Sequence, residues 1–180
     1  PTAGPTPELR EKRGETMSWI YDLGFLVFGI FSLHRFLGKM EQAEDRNRLI
    51  RERFGFFSQD SLSGLDGRRP LWIHCVSVGE TLAVEKFVRL IMERKPRLSI
   101  ILTTVTPTGQ RIAKKWENER LKVFYFPFDL QFSARRFFGI FNPVALFLVE
   151  TEIWPNVIEE ARRHKVPVGV INGRISERSF

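Results

Sequence analysis

Glu80 is the residue whose setting in this sequence best suits catalysis. It stands in the segment SVGET (residues 77–81), between a short apolar run and a helical pattern, which predicts a strand-to-helix turn. Backbone N–H groups at such a turn can fix a carboxylate, and a fixed carboxylate in a partly dry cleft can accept a proton from an attacking hydroxyl. An acid here can also simply stabilise the start of a helix through the helix dipole. The spacing alone leaves both interpretations open.

Four more loops carry small, hydroxylic and charged side chains directly after other apolar runs. They read TVTPTG, PFDL, ETEIWPN and NGRISERS. Hydroxyl groups and glycines suit a cleft that a polar substrate enters closely, and guanidinium groups match the oxyanions of a sugar acid or a phosphate. The predicted substrate-binding residues are Ser77, Gly79, Thr104, Thr106, Thr108, Gly109, Glu152, Asn156, Asn172, Arg174, Ser176 and Arg178.

A regular alternation of apolar runs and helical patterns must position these loops. The apolar runs predict buried strands at Leu71–Val76, Ser99–Thr104, Lys122–Phe126, Ala145–Val149 and Pro167–Ile171. The helical patterns lie at Thr81–Arg94, Thr108–Asn118, Gln131–Phe141 and Pro155–His164. Strands that alternate with helices predict an α/β domain with a Rossmann-like parallel sheet. Ligands bind beyond the carboxyl ends of such strands, so the five loops are expected to form one cleft.

Composition narrows the kinds of site that this domain can hold. The single cysteine, Cys75, excludes an internal disulfide, and the three scattered histidines have no metal-ligand spacing, so neither a structural metal nor a cofactor is expected. The first loop has one glycine where a dinucleotide site needs GxGxxG, and no phosphate-binding GxxxxGK[ST] occurs. The net charge of +7 favours anionic partners without choosing among them.

The N-terminal part of the chain predicts a membrane anchor. Residues 1–16 are a polar, Pro-rich extension, a tag or a disordered segment, and Trp19–Leu37 is apolar on every face. The arginines and phenylalanines that follow are typical of a membrane-surface collar: Arg46, Arg48, Arg51, Arg53, Phe54, Phe56 and Phe57. Residues 17–57 are therefore predicted to anchor a domain at 58–180 to a membrane. A buried core helix at Trp19–Leu37 is the alternative.

The loop sequences resemble one family. HCVSVGE, ILTTVTPTG, VETEIWPN and INGRISERS, in this order and at these intervals, are similar to the 3-deoxy-D-manno-octulosonic acid (Kdo) transferases of lipopolysaccharide synthesis. The resemblance covers about Trp19 to Phe180. It implies the N-terminal, acceptor-side half of a GT-B glycosyltransferase. The basic residues after the apolar segment predict that this domain lies on the cytoplasmic face of the bacterial inner membrane.

The resemblance also implies a reaction and roles for two acids. The enzyme would be inverting and metal-independent, and would transfer Kdo from CMP-Kdo to a lipid A precursor. Glu80 falls on the family's general base, and Glu150 on an acid that supports the transition state. Alternatively, Glu150 and Glu152 have only a structural role, as a pair of acids at the start of the helix before Pro155. Because the family binds CMP in a second domain, we expect this chain alone to bind the donor poorly and not to turn over.

Two other functions fit parts of the sequence. The basic charge and many aromatic residues fit a nucleic-acid-binding module without catalysis, but no RNP-type or helix-turn-helix pattern occurs, so no nucleic-acid partner is expected. A non-catalytic membrane scaffold would not need ordered carboxylate loops.

Overall fold

The computed structural model describes residues 43–65, 67–150 and 153–171. The strands are β1 (Leu71–Cys75), β2 (Ile100–Thr104), β3 (Leu121–Tyr125), β4 (Ala145–Val149) and β5 (Val168–Ile171). The helices are α1 (Ala43–Arg53), α2 (Gln59–Leu62), α3 (Val78–Arg94), α4 (Pro107–Lys114), α5 (Gln131–Phe141) and α6 (Pro155–Arg163). From β1 onward strands and helices alternate, as the spacing of the apolar runs predicts.

The five strands form one parallel sheet in the order β3-β2-β1-β4-β5. The chain therefore builds outward from β1 to β3 on one side, then returns to place β4 and β5 on the other side. The order reverses between β1 and β4, and such a reversal opens a crevice beyond the carboxyl ends of the two strands. The predicted α/β, Rossmann-like parallel sheet is confirmed.

The core lies on both faces of this sheet because every residue of β1 and β2 is buried. On one face Trp72 stacks on Phe137 of α5 with ring centroids 4.2 Å apart, within a larger aromatic cluster. On the other face α3 buries Val84 and Val88 against the aliphatic side chains of β1, β2 and β3. Each such fully buried side chain stabilises the fold by about 1.5–3 kcal/mol. The sheet is thus a rigid platform for the loops at its edge.

Helix α1 closes the free edge of the sheet at β3. Glu52 Oε2 accepts a hydrogen bond of 2.7 Å from the backbone N–H of Tyr125, and Arg48 Nη2 donates one of 3.1 Å to the carbonyl of Val123. Arg48 Nε also donates to Glu52 Oε1 at 2.6 Å. Burial raises the pKa of the Glu52 carboxyl, against the opposing effect of Arg48. Side chains of α1 thus bond backbone groups that an edge strand would otherwise leave open.

The predicted lipid-facing collar is wrong for several of its members. Arg53 Nη2 donates to the carbonyl of Val105 at 2.5 Å, and Phe57 packs edge-to-face on Phe124, Phe137 and Phe141. These two side chains hold α1 and the segment after it on the sheet, because the Phe57 ring lies in the core and the Arg53 guanidinium group bonds a backbone carbonyl. The domain therefore begins before residue 58, with α1 as part of it.

None of the helices within the described ranges is long and apolar enough to cross a membrane. The apolar stretch Trp19–Leu37, on which the anchor prediction rests, lies outside the described residues.

Candidate functional site

Glu80 lies in the first turn of α3, at the carboxyl end of β1. Its Oε2 accepts a hydrogen bond of 2.7 Å from Val76 N, and its Oε1 accepts one of 3.1 Å from Ser77 N. Ser77 Oγ in turn accepts from Glu80 N at 3.3 Å, which completes a reciprocal capping box. The residue is only 6% exposed. The carboxylate is therefore held in one orientation, and each oxygen keeps lone pairs for a further donor.

Glu150 follows β4 directly, on the opposite side of the point where the strand order reverses. Its φ of 63° places it in the left-handed region, which a non-glycine residue enters at a cost of order 1 kcal/mol. Its backbone N–H donates to Ile171 O at 2.9 Å, so pairing with β5 fixes this turn. The structure thus places Glu80 and Glu150 after two adjacent strands, one on each side of the crevice.

The start of α4 lies close to the start of α3, at the same edge of the sheet. Thr106 caps this helix, with its Oγ1 accepting from Gly109 N at 3.1 Å, and Thr108 is exposed. Gly109 is buried where α3 and α4 approach closely: a Cβ there would lie 3.0 Å from Thr106 Oγ1 and 3.5 Å from Thr81 Oγ1. Ser77, Gly79, Thr106, Thr108 and Gly109 are therefore brought together, as their loops predict.

Two predicted substrate-binding residues instead support the rim from below. Thr104 is fully buried, and its hydroxyl lies 2.7 Å from the side-chain amide of Gln110. Asn156 is 5% exposed, and its Nδ2 donates to the carbonyl of Asp129 at 2.6 Å. Neither side chain lines the cleft, because the hydroxyl and the amide group are used to join neighbouring loops.

Asp129 is a residue of the rim that sequence reasoning missed. It is fully buried, and its Oδ1 accepts from Val157 N at 2.9 Å while its Oδ2 accepts from Asn156 N at 3.3 Å. It therefore caps α6 from the loop that follows β3, although the two segments are far apart in sequence. An acid in the otherwise apolar segment PFDL was the available signal, and the partner could only be found in three dimensions.

His74 and Trp154 pack together beneath the turn that carries Glu150. The His74 ring stacks on Phe126 with centroids 3.6 Å apart, and Trp154 lies edge-on to His74 at 6.0 Å. Nδ1 of His74 lies 3.1 Å from Thr103 Oγ1. Burial lowers the pKa of His74 to about 3, so the imidazole is neutral near neutral pH. This packing joins Trp154, at the start of α6, to β1 and to the residue that follows β3.

Five predicted site residues lie outside the described residues: Glu152, Asn172, Arg174, Ser176 and Arg178. Their roles stay predictions. Within the ranges that the structure describes, no three His, Cys, Asp or Glu side chains are grouped as they would be around a metal ion. A cavity of about 310 Å³ lined by Glu85, Arg89 and Trp116 lies towards the start of β3, at the edge opposite the two carboxylates.

Comparison with known proteins agrees with the loop resemblance. The sequence model of the 3-deoxy-D-manno-octulosonic-acid transferase N-terminal domain matches residues 48–180. A 3-deoxy-D-manno-octulosonic acid transferase of Haemophilus influenzae is 36% identical over 145 residues, which are 80% of this chain and 33% of that protein. A bifunctional glycosyltransferase/methyltransferase of Fusobacterium nucleatum is 38% identical over 125 residues, 68% of this chain and 19% of that protein.

A plant protein is similar as well. A probable mitochondrial 3-deoxy-D-manno-octulosonic acid transferase of Arabidopsis thaliana is 34% identical over 110 residues, 61% of this chain and 25% of that protein. The chain thus spans a third or less of the length of these relatives. The family match covers α1 from Arg48 onward together with the whole described sheet. The chain belongs to the Kdo transferase family, and its residues 48–180 match the N-terminal domain of that family.

Proposed function

We propose that this domain is the acceptor-binding half of an enzyme that transfers Kdo from CMP-Kdo to a lipid A precursor at the cytoplasmic face of the bacterial inner membrane. The observation that carries the proposal is the placement of Glu80 and Glu150 on the two sides of the crevice between β1 and β4. Family membership supplies the sugar and the reaction class. In this proposal a second domain of the GT-B type holds the CMP-sugar.

In the proposed step Glu80 accepts the proton of an acceptor hydroxyl. The freed oxygen attacks the anomeric carbon of Kdo, and the bond from that carbon to the phosphate oxygen breaks on the opposite face, so that CMP leaves as an anion and the configuration inverts. The anomeric carbon gains positive character as CMP departs, and the carboxylate of Glu150 stabilises that charge. The step needs neither a metal nor a cofactor in this proposal.

The geometry of Glu80 fits both of the roles that its sequence position allows. Its two hydrogen bonds to Val76 N and Ser77 N are what a helix-start acid makes. The same bonds preorganise a base, because they fix the direction of the remaining lone pairs. Glutamine separates the two roles, since its amide oxygen can still accept one of these two hydrogen bonds, as at the third position of a capping box, but the side chain accepts no proton.

The test is Glu80→Gln in the full-length enzyme, assayed for Kdo transfer and for melting temperature. A base predicts that kcat falls roughly 10²–10⁴-fold with little change in the KM for acceptor. The matched control is Glu85→Gln, one turn further along α3, where Glu85 makes an exposed ion pair with Arg89. A Glu80→Gln enzyme that melts early but transfers at the normal rate would limit Glu80 to the helix start.

A further inference from the structure

The outer face of α5 carries an exposed apolar stripe at helical spacing. Phe132 is 54% exposed and Ile140 is 41% exposed, and they lie two turns apart on one side of the helix. Phe56, in the segment after α1, is 42% exposed, and its ring centroid lies 6.3 Å from that of Phe132. Phe56 and Phe132 thus form an exposed ring pair, and Ile140 lies two turns further along α5. We name these three side chains the α5 stripe.

Arginine side chains are built into the α5 stripe. The guanidinium of Arg136 lies 4.2 Å from the ring centroid of Phe56 and 5.6 Å from that of Phe132. Arg136 Nε also donates to the carbonyl of Gly55 at 3.2 Å, which fixes the cation between the two rings. Arg135 beside it has a side chain that is 59% exposed, although its Nε also lies 3.7 Å from Oε1 of Glu160 on α6. The sequence of α5, QFSARRFFGIF, contains no acidic residue.

An anionic lipid surface is the partner that this combination fits. Phenyl rings enter the boundary between head groups and acyl chains, and guanidinium groups beside them bind lipid phosphates. The first turn of α5 follows β3, so Phe132 lies at the same edge of the sheet as Glu80 and Glu150. A membrane that contacts the α5 stripe therefore meets the domain beside the mouth of the crevice.

We propose that the α5 stripe docks the domain on an anionic bilayer and presents the crevice to a lipid acceptor held in that bilayer. The orientation towards an acceptor rests on the proposed function, whereas the docking itself rests on the surface. The collar expected from the sequence is thereby replaced by a different set of residues. Of the predicted collar, Phe56 belongs to the proposed docking surface, whereas Arg53 and Phe57 do not. The other residues of the docking surface are Phe132, Arg135, Arg136 and Ile140.

The test measures which face of the full chain enters lipid. Phe132→Cys and Ile140→Cys are labelled with an environment-sensitive fluorophore under native conditions. Leu90→Cys on α3, at the other face of the sheet and with a similar exposure of 42%, is the matched control. Cys75 is fully buried, so the unsubstituted chain serves as the labelling blank. The vesicles contain phosphatidylglycerol and phosphatidylethanolamine, with pure phosphatidylcholine for comparison.

Docking predicts that labels at 132 and 140 shift to an apolar emission and are quenched by brominated lipid on the anionic vesicles only. The label at 90 should remain in water. Equal responses of the labels at 90 and 132 would mean that another part of the chain binds the vesicle and that the α5 stripe does not face the lipid. That result would overturn the proposal. Shielding at 132 that needs no vesicles and rises with protein concentration would identify the stripe as a contact between copies, which also overturns it.

A second variant separates docking from the transferase activity. Phe132→Ser in the full-length enzyme should transfer normally to acceptor in detergent, and at least several-fold more slowly to acceptor embedded in anionic vesicles. Equal rates in both settings would contradict docking while leaving the proposed function intact. Labels that enter lipid in an enzyme that transfers no Kdo would leave docking intact and remove the proposed function.

Discussion

At the scale of single residues, the site combines side chains that act in the crevice with side chains that hold the crevice in shape. Glu80 and Glu150 belong to the first group in our proposal. Asp129, Thr104 and Asn156 belong to the second, since each is buried and bonds a neighbouring loop or helix. A substitution in the second group is expected to lower activity through stability, so melting temperature must be measured beside turnover.

His74 provides a prediction for pH dependence. Burial lowers the pKa of His74 from 6.5 to about 3, so the unfolded chain binds the proton more tightly than the folded one. The contribution of His74 to the free energy of unfolding is therefore fully present above pH 6.5, and it falls with decreasing pH by up to about 1.4 kcal/mol per unit down to about pH 3. His74→Asn, which keeps a polar atom near Thr103, should be less stable at neutral pH but should lose less stability on acidification.

Urea unfolding of both proteins from pH 7 to pH 4 measures this difference. The quantity that matters is the gap between the wild-type and variant free energies of unfolding. If that gap does not narrow as the pH falls, His74 is not the group that links protonation to unfolding.

At the scale of secondary-structure elements, α1 is the unexpected member of the domain. Its Glu52 is 3% exposed and bonds the backbone N–H of Tyr125 in the edge strand β3. Glu52→Ala leaves that N–H without its acceptor and removes the partner of Arg48 Nε, so it should cost about 1–3 kcal/mol of stability. Glu85→Ala removes an exposed helix pair and should cost about 0.3–0.5 kcal/mol. Denaturant midpoints with equal slopes compare the two, and equal losses would mean that α1 does not hold the edge of β3.

At the scale of the whole molecule, the position of α1 changes where the chain can be cut. A protein that begins at residue 43 keeps α1 and should unfold cooperatively, because every contact described for the sheet is retained. A protein that begins at Ser58 loses the Arg48 and Glu52 bonds to β3, the bond from Arg53 to Val105, and the ring of Phe57 among three core phenylalanines. It should melt at a markedly lower temperature or aggregate.

Thermal unfolding followed by circular dichroism distinguishes these two proteins. Equal melting temperatures would restore the boundary at residue 58 that the arginine and phenylalanine pattern predicts. The comparison also decides which shortened protein is fit for vesicle experiments, since a domain without α1 would expose apolar surface for reasons unrelated to docking.

The sequence by itself determined the strands, the four helices that alternate with them and the family. Continuous apolar runs mark strands that are buried on both faces, so the predicted and observed strands differ by at most one residue at each end. Helix α3 begins three residues before its predicted start, because Ser77 and Glu80 cap it in a way that an apolar pattern does not reveal. The loops that gather Ser77, Gly79, Thr106 and Gly109 could be found because parallel strands place their carboxyl ends at one edge.

Only the tertiary structure decided which of these polar residues face the crevice. Strand order is set by packing across the whole sheet, so the reversal between β1 and β4, which places Glu80 and Glu150 after two adjacent strands, could not be predicted from the local pattern. The burial of Thr104 and Asn156, and the capping of α6 by Asp129, depend on partners in other loops. Arg53 and Phe57 resemble a membrane collar in sequence, but Arg53 bonds the carbonyl of Val105 and Phe57 packs in an aromatic core, and only the fold brings these partners to them.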